Sequence, residues 1–168
     1  MSDETHPCAA CAKDPKAYKE VRRAVEGESL LWQARMGLAH WEIEHVFVDA
    51  WYYEGGADDH RVTAVCEARW NYQFATVRWF LPSAARHSED RLRAIVVHEL
   101  CHVLLSAEQS LVDSMMDLGT VEAQAAAVAC MEKVELSTEV TARALLEAHG
   151  YSFTGTVGCG AAKAAAAP

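Results

Sequence analysis

The stretch RAIVVHELCHVLLS, residues 93–106, sets His98, Glu99 and His102 inside a run that is otherwise almost wholly apolar. Two imidazoles and a carboxylate are costly to bury without partners, so their position demands a reason. On a helix, residues four apart lie one turn above each other on the same face. His98 and His102 can therefore aim one ring nitrogen each at a single point, about 2.0–2.1 Å from a zinc ion. Glu99 is rotated about 100° around the axis, where it reaches a water on the metal without binding the metal itself. This is the H-E-x-x-H pattern, and its chemistry follows from that geometry. Zinc lowers the pKa of its water, Glu99 takes the proton as general base, and a polarised carbonyl is attacked.

A catalytic zinc takes three protein ligands and keeps one position open. Two places compete for the third ligand. Glu108 stands six residues after His102, where an elongated zinc motif puts its last ligand. That motif needs a glycine to turn the chain, and Leu105 occupies its place. The other place is MEKVELSTEVTARALLEA, in which Glu132, Glu135 and Glu139 share one helical face. Glu135 and Glu139 form E-x-x-x-E, which suggests Glu135 as ligand and Glu139 as the carboxylate that supports a histidine from behind. Glu132 is held in reserve.

Outward from the motif, the period of apolar residues divides the chain. Residues 15–39 have helical spacing, with Tyr18, Val21, Val25, Leu31 and Trp32 on one side and a break expected near Gly27. HWEIEHVFVDAWYY, RVTAVCEARW and YQFATVRWFL read as three strands, and short breaks between them suggest an antiparallel meander. Ser88 followed by Glu89 and Asp90 starts the zinc helix, expected to reach about Ser106. AEQSLVDSMMDLGT reads as a loop. A long Ala-rich helix then spans about Val121 to Ala148 and stops at Gly150. The expected fold class is α+β, a single domain over residues 15–150. Residues 1–14 are expected to be disordered, and residues 151–168 read as a low-complexity tail.

These features together resemble the zincins, in particular small gluzincin and minigluzincin-type proteins of phages and prokaryotes. The resemblance is carried by a helix ending near GLAHWEIEHVFVD, the strand in EARWNYQFATVRWF, VVHELCHVLL, and VELSTEVTARALL, and covers about residues 20–148. It implies a minimal metallopeptidase domain with an N-terminal helix, a three-stranded antiparallel sheet, the H-E-x-x-H helix and a glutamate helix. It also implies one Zn²⁺ held by His98, His102 and a glutamate of the later helix, with Glu99 as base. The family's later helix commonly reads E-x-x-x-D, whereas this chain has Glu139 at the last place. Zincins bind an extended peptide along the edge strand of the sheet, here expected at residues 72–81. His149 or Tyr151 could fold back to stabilise the transition state.

A catalytically silent zincin fold that binds metal or a partner is the alternative function. The length of 168 residues suits one domain with a proper core. A net charge of −9 argues against general affinity for nucleic acid or anionic membranes. No apolar run approaches the roughly 20 residues of a membrane span, and the polar start lacks a signal pattern, so a cytoplasmic location is expected. Six cysteines lack a disulfide-framework spacing. Cys66, Cys101 and Cys130 read as packed thiols, Cys8 and Cys11 with His6 as a weak zinc motif, and Cys159 as a thiol that could enter the cleft.

Overall fold

The computed structural model describes residues 14–53 and 61–152. The expectations for His6, Cys8, Cys11 and Cys159, and for the turn-rich segment 54–60, lie outside these residues. The first helix, α1 (Pro15–Arg35), begins where a helix should. Asp14 accepts hydrogen bonds from the Lys16 and Ala17 backbone N–H groups, and Pro15 takes the first position, which needs no N–H. It does not break at Gly27. A glycine there weakens a helix by only about 1 kcal/mol. Burial of Val21, Val25 and Trp32 on the face below outweighs that weakness.

The chain continues through β1 (Glu42–Val48), β2 (Tyr52–Tyr53), β3 (Arg61–Val62), β4 (Ala64–Arg69), a 3₁₀ turn at Trp70–Tyr72 and β5 (Phe74–Phe80). The fold is α+β with a three-stranded sheet, and the sheet is mixed rather than an antiparallel meander. Its order is β1–β5–β4: β5 runs antiparallel to β4 but parallel to β1, with Ile43 opposite Ala75 and Phe47 opposite Trp79. The chain leaves β1, forms the small β2–β3 ribbon, and returns through β4 so that β5 inserts in the middle. The expected edge strand is therefore the central one. Its alternation explains why: Ala75, Val77 and Trp79 are fully buried on the helix side, a place an edge strand rarely holds so completely. Thr76 and Arg78 point to the opposite, solvated face, where Arg78 pairs with Glu67. The exposed edge next to the helices is β4.

Four further helices follow: α2 (Leu81–Ala84), α3 (Glu89–Leu104), α4 (Ser106–Asp117) and α5 (Val121–Ala148). Ser88 caps α3 by accepting from Arg91 N, with Glu89 and Asp90 in the positive first turn. The segment expected to be a loop is α4. It bends 64° from α3 at Leu105, buries Val112 against α5, and ends at Gly119, whose φ of +68° only glycine adopts cheaply. Apart from the buried Ser106 its polar residues are partly or fully exposed, which disguises a helix with a thin apolar seam. No single helix among the described residues is long and apolar enough to cross a membrane.

Candidate metal centre

On α3, Ile95, Val96, Val97, Leu100 and Val103 are almost fully buried. They pin the helix against the sheet and α1, and so fix the direction in which His98 and His102 leave it. The face towards α5 is small: Thr138 and Ala142 of that helix are fully buried where the two helices meet. Small side chains let helices approach closely, which brings Glu135 and Glu139 within reach of the imidazoles. The C-terminal end of α5 is tied down separately. Gly150, at φ +81°, reverses the chain, Tyr151 N returns to Leu146 O, and the Tyr151 ring packs on Trp32 and beneath Arg93. His149 meets Trp32 edge-on. His149 and Tyr151 thus serve the α1–α5 junction.

The three expected ligands converge. His98 Nε2 and His102 Nε2 are 3.1 Å apart, His98 Nε2 is 3.3 Å from Glu135 Oε1, and His102 Nε2 is 3.5 Å from Glu135 Oε2. Among the described residues these three alone form a group of His, Cys, Asp or Glu atoms close enough to share an ion. A tetrahedral zinc with bonds of about 2.05 Å has ligand atoms about 3.3 Å apart, so the spacing fits that ion. The orphaned atom fits too. His98 Nδ1 is buried with no hydrogen bond, and Glu139 Oε2 stands 3.8 Å away. That carboxylate is positioned to draw the proton to Nδ1 and leave the Nε2 lone pair for a metal. Arg143 holds Glu139 from the next turn, at 3.0 Å.

Electrostatics point the same way. Burial pushes His98 down, but hydrogen bonding to Glu135 and the charges of Glu99, Glu135 and Glu139 overcome it, and its pKa rises. His102 is pulled below the usual value by burial and by His98, against the opposing carboxylates. Glu135 is lowered by its bond to His98 and by both imidazoles, despite partial burial. Three carboxylates thus act on one buried imidazole, surroundings that favour positive charge at this point.

Glu99 is buried beside the pair on α3, and its charge acts on both histidines and on the thiols of Cys66 and Cys101. Burial, with Glu99 adding to it, pushes the Cys101 thiol up to about 12, and its sulfur stands outside the group of atoms close enough to share an ion. Cys66 is raised for the same reasons. The position of Cys66 beside Glu99 was not foreseen, because the pairing of β4 with α3 leaves no local trace. Arg143 was legible as an i, i+4 partner of Glu139. Glu108 and Glu132 are exposed and stand outside the group. No protein-family model, curated protein or solved structure matches this chain at a significant level.

Proposed function

We propose that the protein is a zinc-dependent metallopeptidase with a minimal zincin-like fold. The observation that carries this reading is the convergence of His98, His102 and Glu135 at tetrahedral spacing, with Glu99 buried next to a ligand. Three protein ligands leave one position open, as catalytic sites do and closed structural sites do not. When bound there, zinc supplies Lewis-acid polarisation of a carbonyl and a more acidic water. Glu99 accepts the proton of the attacking water and returns it to the leaving amine. Glu139, held by Arg143, stands 3.8 Å from His98 Nδ1, where closing that gap would let it orient the ring. An extended peptide would add as a strand to the edge of β4, not to the central β5, because β5 is paired on both sides whereas β4 is an edge strand that packs on the helix carrying Glu99.

The test is elemental analysis of the purified protein together with cleavage of casein or a peptide library. One zinc per chain and cleavage abolished by Glu99→Gln, with the zinc retained, is the expected result. Zinc without cleavage would leave a metal-binding protein, and absence of zinc at the expected stoichiometry would end the proposal.

A further inference from the structure

The metal centre is open toward the C-terminal end of α3. The His98 side chain is 2 % exposed, whereas those of His102 and Glu135 are 23 and 32 % exposed. The edge strand leads to the same place. β4 packs on α3, and the turn that follows it, Trp70–Tyr72, packs on α4, which begins where α3 ends. Two large rings stand on this turn: Trp70 is 46 % and Tyr72 78 % exposed. Leu104 and Leu111 are exposed on the two helices that meet there. A turn facing water ordinarily carries glycine, asparagine, aspartate or serine. This one shows aromatic surface and closes through Gln73, whose φ of +51° is left-handed and suits glycine or asparagine better. Neither choice helps the hairpin to fold, and departures of this kind cluster where a ligand is held.

We infer that Trp70 and Tyr72 form a subsite for one large apolar or aromatic side chain of an extended peptide lying along β4. The inference rests on the metallopeptidase reading and narrows its substrate class. Continuity with the metal centre decides the occupant. Glu99 acts on the thiol of Cys66, so a peptide paired with the free edge of β4 passes the general base at that level. Four strand positions further on, about 13 Å, it reaches Trp70. Because α4 meets the turn, α3 and β4 run in the same direction. Leu104 is five residues beyond Glu99, about 8 Å along the helix, and so lies toward the same end of the peptide. Successive side chains of a strand point to opposite faces, so one position of the peptide meets the rings and its neighbours do not. The backbone of β4 gives affinity without preference, and the rings supply the preference. Packing of an aromatic or a large aliphatic side chain on them discriminates by about tenfold.

Binding of blocked octapeptides to the purified Glu99→Gln chain, measured by calorimetry, tests the inference without requiring turnover. The peptides are alanine–serine sequences that carry one Phe, Leu or Asp at each position in turn. The best Phe or Leu peptide should bind about tenfold tighter than its Asp counterpart. Adding Tyr72→Ala should reduce that ratio to about twofold, and Trp70→Ala should do the same, whereas Tyr72→Phe should preserve it. Circular dichroism and zinc content should match those of Glu99→Gln alone, which assigns the loss to the rings and not to the fold or the metal. Peptides that all bind equally, a failure of every peptide to bind, or a preference that survives the loss of both rings overturns the inference. A preference that depends on the rings in a chain holding no zinc supports the subsite and sinks the metallopeptidase reading alone.

Discussion

Two sets of wholly or partly buried histidines differ in what surrounds them. His45, on β1, has both nitrogens satisfied by neutral groups. Its Nδ1 accepts from Trp79 Nε1 at 3.0 Å, so the proton sits on Nε2, which donates to Ser29 Oγ at 2.8 Å. His87 likewise reaches Thr63 Oγ1 at 3.0 Å. His98 and His102 instead face each other and a cluster of carboxylates, and one buried nitrogen of His98 has no hydrogen bond at all. The first set is complete as a neutral imidazole. The second offers a donor set that could hold a cation. Burial alone therefore does not mark a ligand. The donor set around the ring does.

The strongest way to break this contrast is to remove a ligand. His102→Ala should abolish both zinc retention and hydrolysis, whereas His45→Leu should leave one zinc per chain, as elemental analysis would show. Glu99→Gln should keep the metal and lower the rate by about 10²–10⁴-fold, the usual worth of a general base. Failure to separate binding from turnover in this way would put Glu99 among the ligands. Glu139→Ala should weaken zinc affinity by about 10–100-fold through the His98 ring, measured by chelator competition. Glu132→Ala, at an exposed position, should change that affinity little, and the opposite order would sink the assignment of the acidic stripe.

The neutral set has a smaller and different signature. His45→Leu leaves Trp79 Nε1 without its acceptor and should cost about 1–3 kcal/mol of stability by urea unfolding. Its pH dependence has a definite sign. Burial holds His45 below the usual value of 6.5, and burial together with the charge of Arg91 does the same to His87. Below 6.5 the unfolded chain takes up protons that the folded chain refuses. The stability these residues contribute is therefore present above pH 6.5 and lost as pH falls toward their lowered values. His98, whose pKa is raised, works in the opposite sense, so the His45 contribution is read as the difference between wild type and His45→Leu across that range. Equal pH slopes in the two proteins would mean that His45 is not held neutral.

Much of this was written locally. The cap at Ser88, the Pro15 start, the stop at Gly150 and the pairing of His98 with His102 depend on residues within one or two turns of each other, where spacing translates directly into position. The helix α4 was missed because its apolar seam is thin and only Val112 among its apolar side chains is buried, so propensity and pattern both read as a loop. The strand order was missed for a different reason. Residues 42–48, 64–69 and 74–80 each read as a strand, but nothing in a strand says which neighbour it will choose, and a parallel partner is not adjacent in the chain.

By itself the sequence determined that two histidines would share one face of a helix with a glutamate rotated about 100° from the first of them, and that an acidic stripe would follow on a long one. Which acid meets the histidines was decided by the close packing of α5 on α3 through Thr138 and Ala142, a contact between residues about forty positions apart. The edges of the sheet were decided in the same way, when β5 took its centre and left β1 and β4 outside. Local geometry fixes directions along one element, whereas the distance between elements depends on the volume of side chains that meet only after folding.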